Sequence, residues 1–287
     1  VKFCLYGNPT IDIIITNSES RVSYGGGVYY SSIPLVKRGF NIEVYSVMSP
    51  RLLKHPVVEY IVKSQYSSRT NIFILTYKGD TRRLSVLEKA PLIHHWNSHR
   101  ELCYTLVNPV ISEVDTSLLK LLRGKSLLLA VDIQGFLRVI SETGEVLLKP
   151  TSEALEVLEL ADIVHADIEE VKCLVKSYGE NTNLNSALRS LTRLSRAMLI
   201  VTKGLDNITI ASRGVVIDVQ VDNTYKALEK TGAGDYFLAE YLVHYLVSGD
   251  AVESAYKAHE EVTKWLKSRD IVLHRAPATQ WESSPRS

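Results

Sequence analysis

No run of residues in this chain is apolar for long enough to cross a bilayer, and neither sign of charge prevails, since 33 Lys and Arg face 32 Asp and Glu. The first absence removes membrane spans from the expected architecture. The second removes the global field that would recruit nucleic acid or an acidic membrane surface, and no basic stripe interleaved with aromatics takes its place. Cysteine is scarce. Cys4, Cys103 and Cys173 are odd in number, widely separated and set in apolar surroundings, which argues against a disulfide framework or a zinc site and predicts three buried, reduced thiols. The phosphate-binding pattern Gly-x-x-x-x-Gly-Lys-Ser/Thr is missing, which argues against a P-loop kinase. Gly25-x-Gly27-x-x-Tyr30 stops one glycine short of a dinucleotide fingerprint and does not follow the first core strand, so an NAD-dependent dehydrogenase is not expected. His94-His95-Trp96 lacks further ligands at metal-binding spacing and reads as a loop. Val1 to Tyr6 has neither the basic flank nor the cleavage site of a signal peptide, and a cytoplasmic protein is expected.

What is present is an ordinary globular composition, 45% hydrophobic and 23% charged, in 287 residues that suit one α/β domain with a small appendage. Strand-like apolar runs recur at 2–6, 11–16, 41–47, 71–77, 102–107, 126–131, 162–165 and 197–202. Helical spacing of apolar residues marks 28–38, 52–64, 114–123, 150–160, 168–177, 182–195, 232–248 and 251–268. Alternation of the two predicts a mostly parallel central sheet covered on both faces, a three-layer α/β/α sandwich. Segments 12–24 and 71–87 lack helices of their own and predict a small β flap, or lid; 207–212 and 215–221 predict a hairpin about Arg213-Gly214.

Chemistry concentrates where a polar loop enters an apolar helix, at Thr231-Gly232-Ala233-Gly234-Asp235. Small residues at a helix start expose consecutive N–H groups, and these add to the positive end of the helix dipole to cradle a phosphate. Asp235 then stands on the first turn, placed to take a proton from an attacking hydroxyl. Taken alone, the same residues also suit a plain turn with an acid complementing the dipole. Asp12, at the end of an apolar strand, is a carboxylate able to accept two hydroxyl donors. The run from Asp132 through Gln134 to Arg138 follows a core strand and so falls at the sheet's carboxyl edge, where ligands collect in such folds. Arg82, on the flap, is a further candidate to reach an acceptor.

The stretch Thr231 to Asp235 resembles the Asp-Thr-x-Gly-Ala-Gly-Asp signature of the ribokinase-like, or PfkB, carbohydrate kinases. Gly7-Asn8-Pro9-Thr10-Ile11-Asp12 resembles their first-strand Gly-x-x-x-x-Asp, and Gly25-Gly26-Gly27 before an apolar helix resembles their Gly-Gly signature. Asp167-Ile168-Glu169-Glu170 stands where that family has Asn-x-x-Glu, and Thr202-Lys203-Gly204 where it has Thr-x-Gly. The resemblance implies a ribokinase-like fold and a kinase that moves the γ-phosphoryl group of ATP, with Mg²⁺, onto a sugar, a cyclic polyol such as inositol, or a nucleoside. It assigns Asp235 as base and Gly232, Ala233 and Gly234 as the anion hole. It gives Thr202, Gly204, Thr231, Asp167 and Glu170 to the nucleotide, and Asp12, Gly25, Gly26, Tyr30, Gln134 and Arg138 to the acceptor. Glu170, one turn after Asp167, is placed to organise Mg²⁺ through its hydration waters.

Departures from the pattern bear on the substrate more than on the reaction. Glu229 takes the place of the first signature Asp, Asp167 replaces Asn, and Tyr30 replaces a sugar-reaching Asn. The segment between Asp12 and Gly25 is short, so a reduced lid is expected, and a homodimer built through it is less assured. A ligand-binding or regulatory protein on the same fold is the rival reading, because fold alone does not fix function.

Overall fold

The computed structural model describes residues 1–16, 19–78, 81–94, 98–176, 183–204, 206–221, 225, 227 and 229–275, with the side chains of 62–63, 78, 81–82 and 271–275 excepted. The first strand, β1 (Lys2–Tyr6), shows how the core is divided. Phe3 and Leu5 join the apolar cluster on one face of the sheet, while Cys4 and Tyr6 join the cluster on the other. Alternation of side chains across a strand, with apolar residues at every position, demands cover on both faces.

That cover is present. β4 (Asn41–Met48), β5 (Ile61–Tyr66), β8 (Cys103–Val107), β9 (Ser126–Asp132), β12 (Ile163–Asp167), β13 (Met198–Thr202), β14 (Ile208–Ser212) and β15 (Val215–Val219) complete a nine-stranded sheet of order β15-β14-β13-β12-β9-β8-β1-β4-β5. Pairing is parallel from β13 through to β5, and only the β13-β14-β15 edge is antiparallel. One face packs α1 (Gly27–Lys37), α7 (Ala233–Ser248) and α8 (Ala251–Arg275). The other packs α2 (Thr116–Arg123), α4 (Ser152–Leu160), α5 (Ile168–Val175) and α6 (Leu184–Arg193), with the short α3 (Gln134–Leu137) beside them. Local chemistry sets the helix starts: Asp115 accepts from the Leu118 N–H and Thr151 from the Ala154 N–H, satisfying donors that a first turn leaves unpaired.

A second sheet, β3-β2-β6-β7, lies apart from the first and is built from β2 (Thr10–Ile15), β3 (Ser20–Gly25), β6 (Asn71–Lys78) and β7 (Thr81–Glu88). Each of the two segments read as flap supplies two strands, and Ile14, Phe73 and Leu75 pack with Val110 and Ile111 beneath it. A small hairpin, β10 (Arg138–Ile140) with β11 (Val146–Leu148), adjoins β7.

Two expectations are corrected. The helix read at 52–64 is instead a pair of 3-10 turns, Pro50–Leu52 and Pro56–Tyr60, followed by β5. Pro56 lacks the N–H that would continue a helix, and the β-branched Val57, Val58 and Ile61 favour the extended edge strand that follows. Cys4 and Cys103 are not free thiols but joined by a disulfide; Cys173 alone is free, and buried. Their 99-residue separation concealed that β1 and β8 are neighbours, which sets the two Cα atoms 6.1 Å apart, within bridging range. His99 lies close enough to both sulfurs to suggest a metal triad. Both its ring nitrogens are engaged, however, Nδ1 with the Tyr6 hydroxyl at 3.0 Å and Nε2 with the Lys125 carbonyl at 2.9 Å.

Candidate active site

The strand order reverses between the parallel neighbours β1 and β8: the chain runs from β1 to β4 on one side and from β8 to β9 on the other. Loops leaving the carboxyl ends of adjacent strands diverge there and open a crevice. A cavity of about 330 Å³ fills it, walled by the ends of β9, β12 and β13, the first turn of α7 and the inner face of the lid. His94 has no place in it, and His95, Trp96 and the Arg82 side chain lie outside the described residues.

Gly232 caps α7 in the left-handed region at φ 81°, and the Tyr30 ring occupies the space a β-carbon would need, so both conformation and close approach require glycine. The helix then runs from Ala233 into the apolar core. The Ala233 N–H, expected in the anion hole, is engaged by the Lys230 carbonyl at 3.0 Å, and the remaining first-turn donors beside the cavity are the N–H groups of Gly234 and Asp235. Arg269 on α8 donates to the carbonyls of Thr231 and Glu229 and so braces the loop that delivers the turn. Glu229, the departure from the family pattern, pairs at 2.8 Å with Arg21 of β3, tying the lid to this loop.

Asp235 is buried. Its Oδ1 accepts from Asn108 Nδ2 at 3.0 Å and from Gln134 Nε2 at 3.4 Å. Loss of hydration is the main influence on its carboxyl, the neighbouring Asp132 charge adds to it, and together they push the group up to about 7; Asn108, His165 and Arg138 restrain the rise. A carboxylate poised there can exchange a proton near neutral pH.

On the lid side, Thr10 and Asp12 point inward from β2, with the Thr10 hydroxyl donating to Asp12 Oδ1 at 2.8 Å. Gly25 is pressed against the Asp12 carboxylate, so a β-carbon there would collide with it. Tyr30, Phe73 and Leu75 give this end an apolar boundary. Arg138 lines the cavity with Nη1 held by the Val110 carbonyl at 3.1 Å.

At the opposite end, Asp167 and Glu170 form a reciprocal cap on α5, each side chain accepting the other's backbone N–H at 2.8 Å. Glu170 is buried, and desolvation, then the charges of Asp132 and Asp167, push it up to about 8. Arg138 restrains the rise without overcoming it, and this excess of negative charge suits a divalent cation. Among the described residues no three carboxylates converge as a group of direct ligands, so the set fits a hydrated ion held through waters rather than a bare one. Thr202, Gly204, Lys230 and Thr231 complete this end.

The cavity therefore gathers every residue that the resemblance gave to the base, anion hole, nucleotide and acceptor except Gly25, which stands behind Asp12. The site adds others that the sequence reading missed. Asn108, which bonds Asp235 without lining the cavity, follows β8 at the sheet's carboxyl edge, a position from which the sequence could have singled it out. His165 is the one polar residue before Asp167 in an otherwise apolar strand. Its Nδ1 lies 2.8 Å from Asp132 Oδ2 and its Nε2 3.1 Å from Thr202 Oγ1. His259, Val262 and Leu266 of α8 form a wall that no sequence signal announced.

No protein-family model matches the chain, and no curated protein matches it. Solved structures do. A pyrophosphate-dependent kinase in the ribokinase family, in complex with sulfate, superposes with TM-score 0.80 at 20% identity, over 94% of this chain and 99% of that one. A pyrophosphate-dependent kinase of the same family, bound to a pyrophosphate analogue and myo-inositol, gives TM-score 0.78 at 19% identity over 94% and 99%. Ribokinase from Thermotoga maritima gives TM-score 0.70 at 15% identity over 92% and 99%. The fold is that of the ribokinase-family kinases.

Proposed function

We propose that this protein is a small-molecule kinase, moving a phosphoryl group from an anionic phosphate donor to a hydroxyl of a sugar, cyclic polyol or nucleoside. The observation that carries the reading is Asp235: a buried carboxyl with its pKa raised to about 7, on the first turn of a helix whose free N–H groups open into the same cavity. A protein that only binds ligand gains nothing from a base at the end of an anion hole. Asp12, with Thr10, accepts acceptor hydroxyls; Asp235 removes the proton from the attacking one as it meets phosphorus; the Gly234 and Asp235 N–H groups stabilise charge on the transferred group. Glu170 would hold Mg²⁺ through waters, and the ion would neutralise donor phosphate charge. Thr202, Gly204 and Thr231 receive the donor.

ATP is the donor implied by the sequence resemblance, and inorganic pyrophosphate is its competitor, because two of the structural neighbours are pyrophosphate-dependent. A cytoplasmic setting goes with either. No described helix is long and apolar enough to cross a membrane. A homodimer is also part of the proposal, with the second copy on the outer lid face, where Ile15, Val22 and Leu87 are exposed.

The test is a matrix of phosphoryl-transfer assays in which ATP, ADP, GTP and pyrophosphate are each combined with a panel of sugars, inositols and nucleosides. Transfer to at least one acceptor supports the reading. Donor binding without transfer to any acceptor favours the non-catalytic binder.

A further inference from the structure

His55 does not line the cavity, yet it supports one wall of it. It is 2% exposed and stands in the turn between β4 and β5, where its own N–H bonds the Leu52 carbonyl at 2.8 Å. Its ring fills the elbow at which β3 leaves the lid and the chain enters α1, with Tyr24 of β3 at 4.9 Å and Tyr29 of α1 at 5.2 Å between ring centroids. Gly25 and Gly26 form that elbow, and Gly26 turns it at φ 103°, a conformation that favours glycine.

Hydrogen-bond chemistry fixes the state of this ring. A backbone N–H can only donate, so Nδ1, which faces the Val57 N–H at 3.2 Å, is bare and accepts. A carbonyl can only accept, so Nε2, 2.9 Å from the Gly25 oxygen, carries the hydrogen and donates it. One neutral tautomer satisfies both bonds. Protonation would set a second N–H against that of Val57, and burial already pushes the imidazole down to about 4, so the ring keeps this tautomer at neutral pH.

One of the two bonds belongs to the main body and the other to the lid. The Val57 bond caps the 3-10 turn Pro56–Tyr60, which fastens the ring between strands of the nine-stranded sheet. The Gly25 bond reaches the last residue of β3, the edge strand of the lid sheet. Gly25 pairs in register with Thr10, and a β-carbon there would collide with Asp12 Oδ2 and come within 2.8 Å of Thr10 Oγ1. Displacement of the Gly25 backbone therefore disturbs both side chains assigned to the acceptor.

We propose that His55 is a positioning residue, which holds the Gly25 carbonyl from the main body and so keeps Thr10 and Asp12 set for the hydroxyls of the acceptor. This role rests on the reading of Asp12 as the acceptor's anchor. It concerns the acceptor alone, because Thr202, Gly204 and Thr231, which receive the donor, stand at the opposite end of the cavity.

The two bonds can be removed one at a time. Asparagine brings an oxygen to the Nδ1 position and still caps the turn, but does not reach Gly25; glutamine brings its amide nitrogen to the Nε2 position and still donates to Gly25, but loses the cap. Transfer from magnesium-ATP and from magnesium pyrophosphate to myo-inositol, D-ribose and adenosine is measured for the wild type, His55→Asn, His55→Gln, Asp12→Asn and the double variant of Asp12→Asn with His55→Asn. Thermal midpoints are recorded on the same preparations. With the acceptor that the wild type phosphorylates fastest, His55→Asn is expected to raise acceptor KM about fivefold at unchanged donor KM, and His55→Gln to restore it to within a factor of about two. Adding His55→Asn to Asp12→Asn should raise acceptor KM no further. Equal acceptor KM in the two His55 variants, a donor KM that rises with it, or full additivity with Asp12→Asn overturns the proposal. A role confined to the fold would give the opposite order, with the higher acceptor KM in the uncapped, less stable His55→Gln.

Amide exchange without substrate separates this inference from the phosphotransferase reading. Amides of β2 and β3 should exchange about fivefold faster in His55→Asn than in His55→Gln, and equal exchange overturns the proposal whether or not any acceptor is turned over. Absence of transfer from either donor to all three acceptors, with that exchange difference present, overturns the phosphotransferase reading for them and the acceptor role with it, while the hold on Gly25 stands. Should His55→Asn not fold, ¹⁵N NMR of histidine-labelled wild type, with the His55 signals assigned by their loss in His55→Gln, decides the matter. A ring protonated at Nε2 and bare at Nδ1 supports the proposal, and the reverse contradicts it.

Discussion

Asn108 donates its side-chain N–H to Oδ1 of Asp235 at 3.0 Å, and the described hydrogen bonds to this carboxylate all fall on that oxygen. The bond stabilises the ionised form and leaves Oδ2 to take a proton. Asn108→Ala removes that stabilisation from a group already held at about 7. A bond to a charged group is worth enough to move a pKa by about one unit. The acidic limb of the kcat/KM profile is therefore expected to shift upward by about that much, with little change on the plateau. An unmoved limb would detach Asn108 from the base.

Asp235 also sets a stability dependence whose sign is opposite to that of an ion-paired acid. Its pKa is higher folded than unfolded, so the fold holds the protonated form, and stability present below the unfolded value near 3.8 is lost as pH rises through about 7. Asp235→Asn removes the charge that burial penalises. Its thermal midpoint is expected to exceed that of the wild type at pH 8 and to approach it at pH 5. A lower midpoint at pH 8 would mean that the carboxylate supports the fold.

Glu170, pushed up to about 8, must give up its proton before it can orient a hydrated cation. Mg²⁺ activation should therefore strengthen as pH rises through that value, over about two units from about 7 to about 9. Glu170→Gln should raise the metal concentration needed for half-maximal activity. Full activity in excess chelator would remove the ion from the account.

The fold was legible because nearly every core strand carries its apolar residues in one uninterrupted run and most helices carry theirs at helical spacing. The helix expected at 52–64 failed because apolar spacing there coincided with Pro56 and a β-branched run, and chain chemistry outweighed periodicity. Asp235 was legible from its place at a helix start; Asp12 was expected at a strand end and is instead the third residue of β2, on the strand face turned to the cavity. His165 was not, since a lone polar residue inside an apolar strand is ordinarily a satisfied core histidine, and only strand order reveals that Asp132 and Thr202 flank it. The disulfide was hidden for the same reason: adjacency of β1 and β8 is a property of topology, not of spacing.

The Cys4–Cys103 bond closes a loop that contains the lid, and cross-links over such lengths stabilise by roughly 2 to 5 kcal/mol. Unfolding in urea with and without reductant should separate the two midpoints, and Cys103→Ser should unfold at the reduced midpoint regardless of reductant. Coincident curves, with three titratable thiols in the denatured wild type where the bridged protein would show one, would restore the reduced pair.

The most direct measurement of the central claim is kcat for Asp235→Asn with the best acceptor, made alongside donor Kd on the same preparation. General-base catalysis is worth on the order of 10² to 10⁴ in rate. The account predicts a loss of kcat in or above that range with donor affinity retained, because the Gly234 and Asp235 N–H groups do not depend on the side chain. Near-normal kcat in this variant would contradict the assignment of Asp235 as the base.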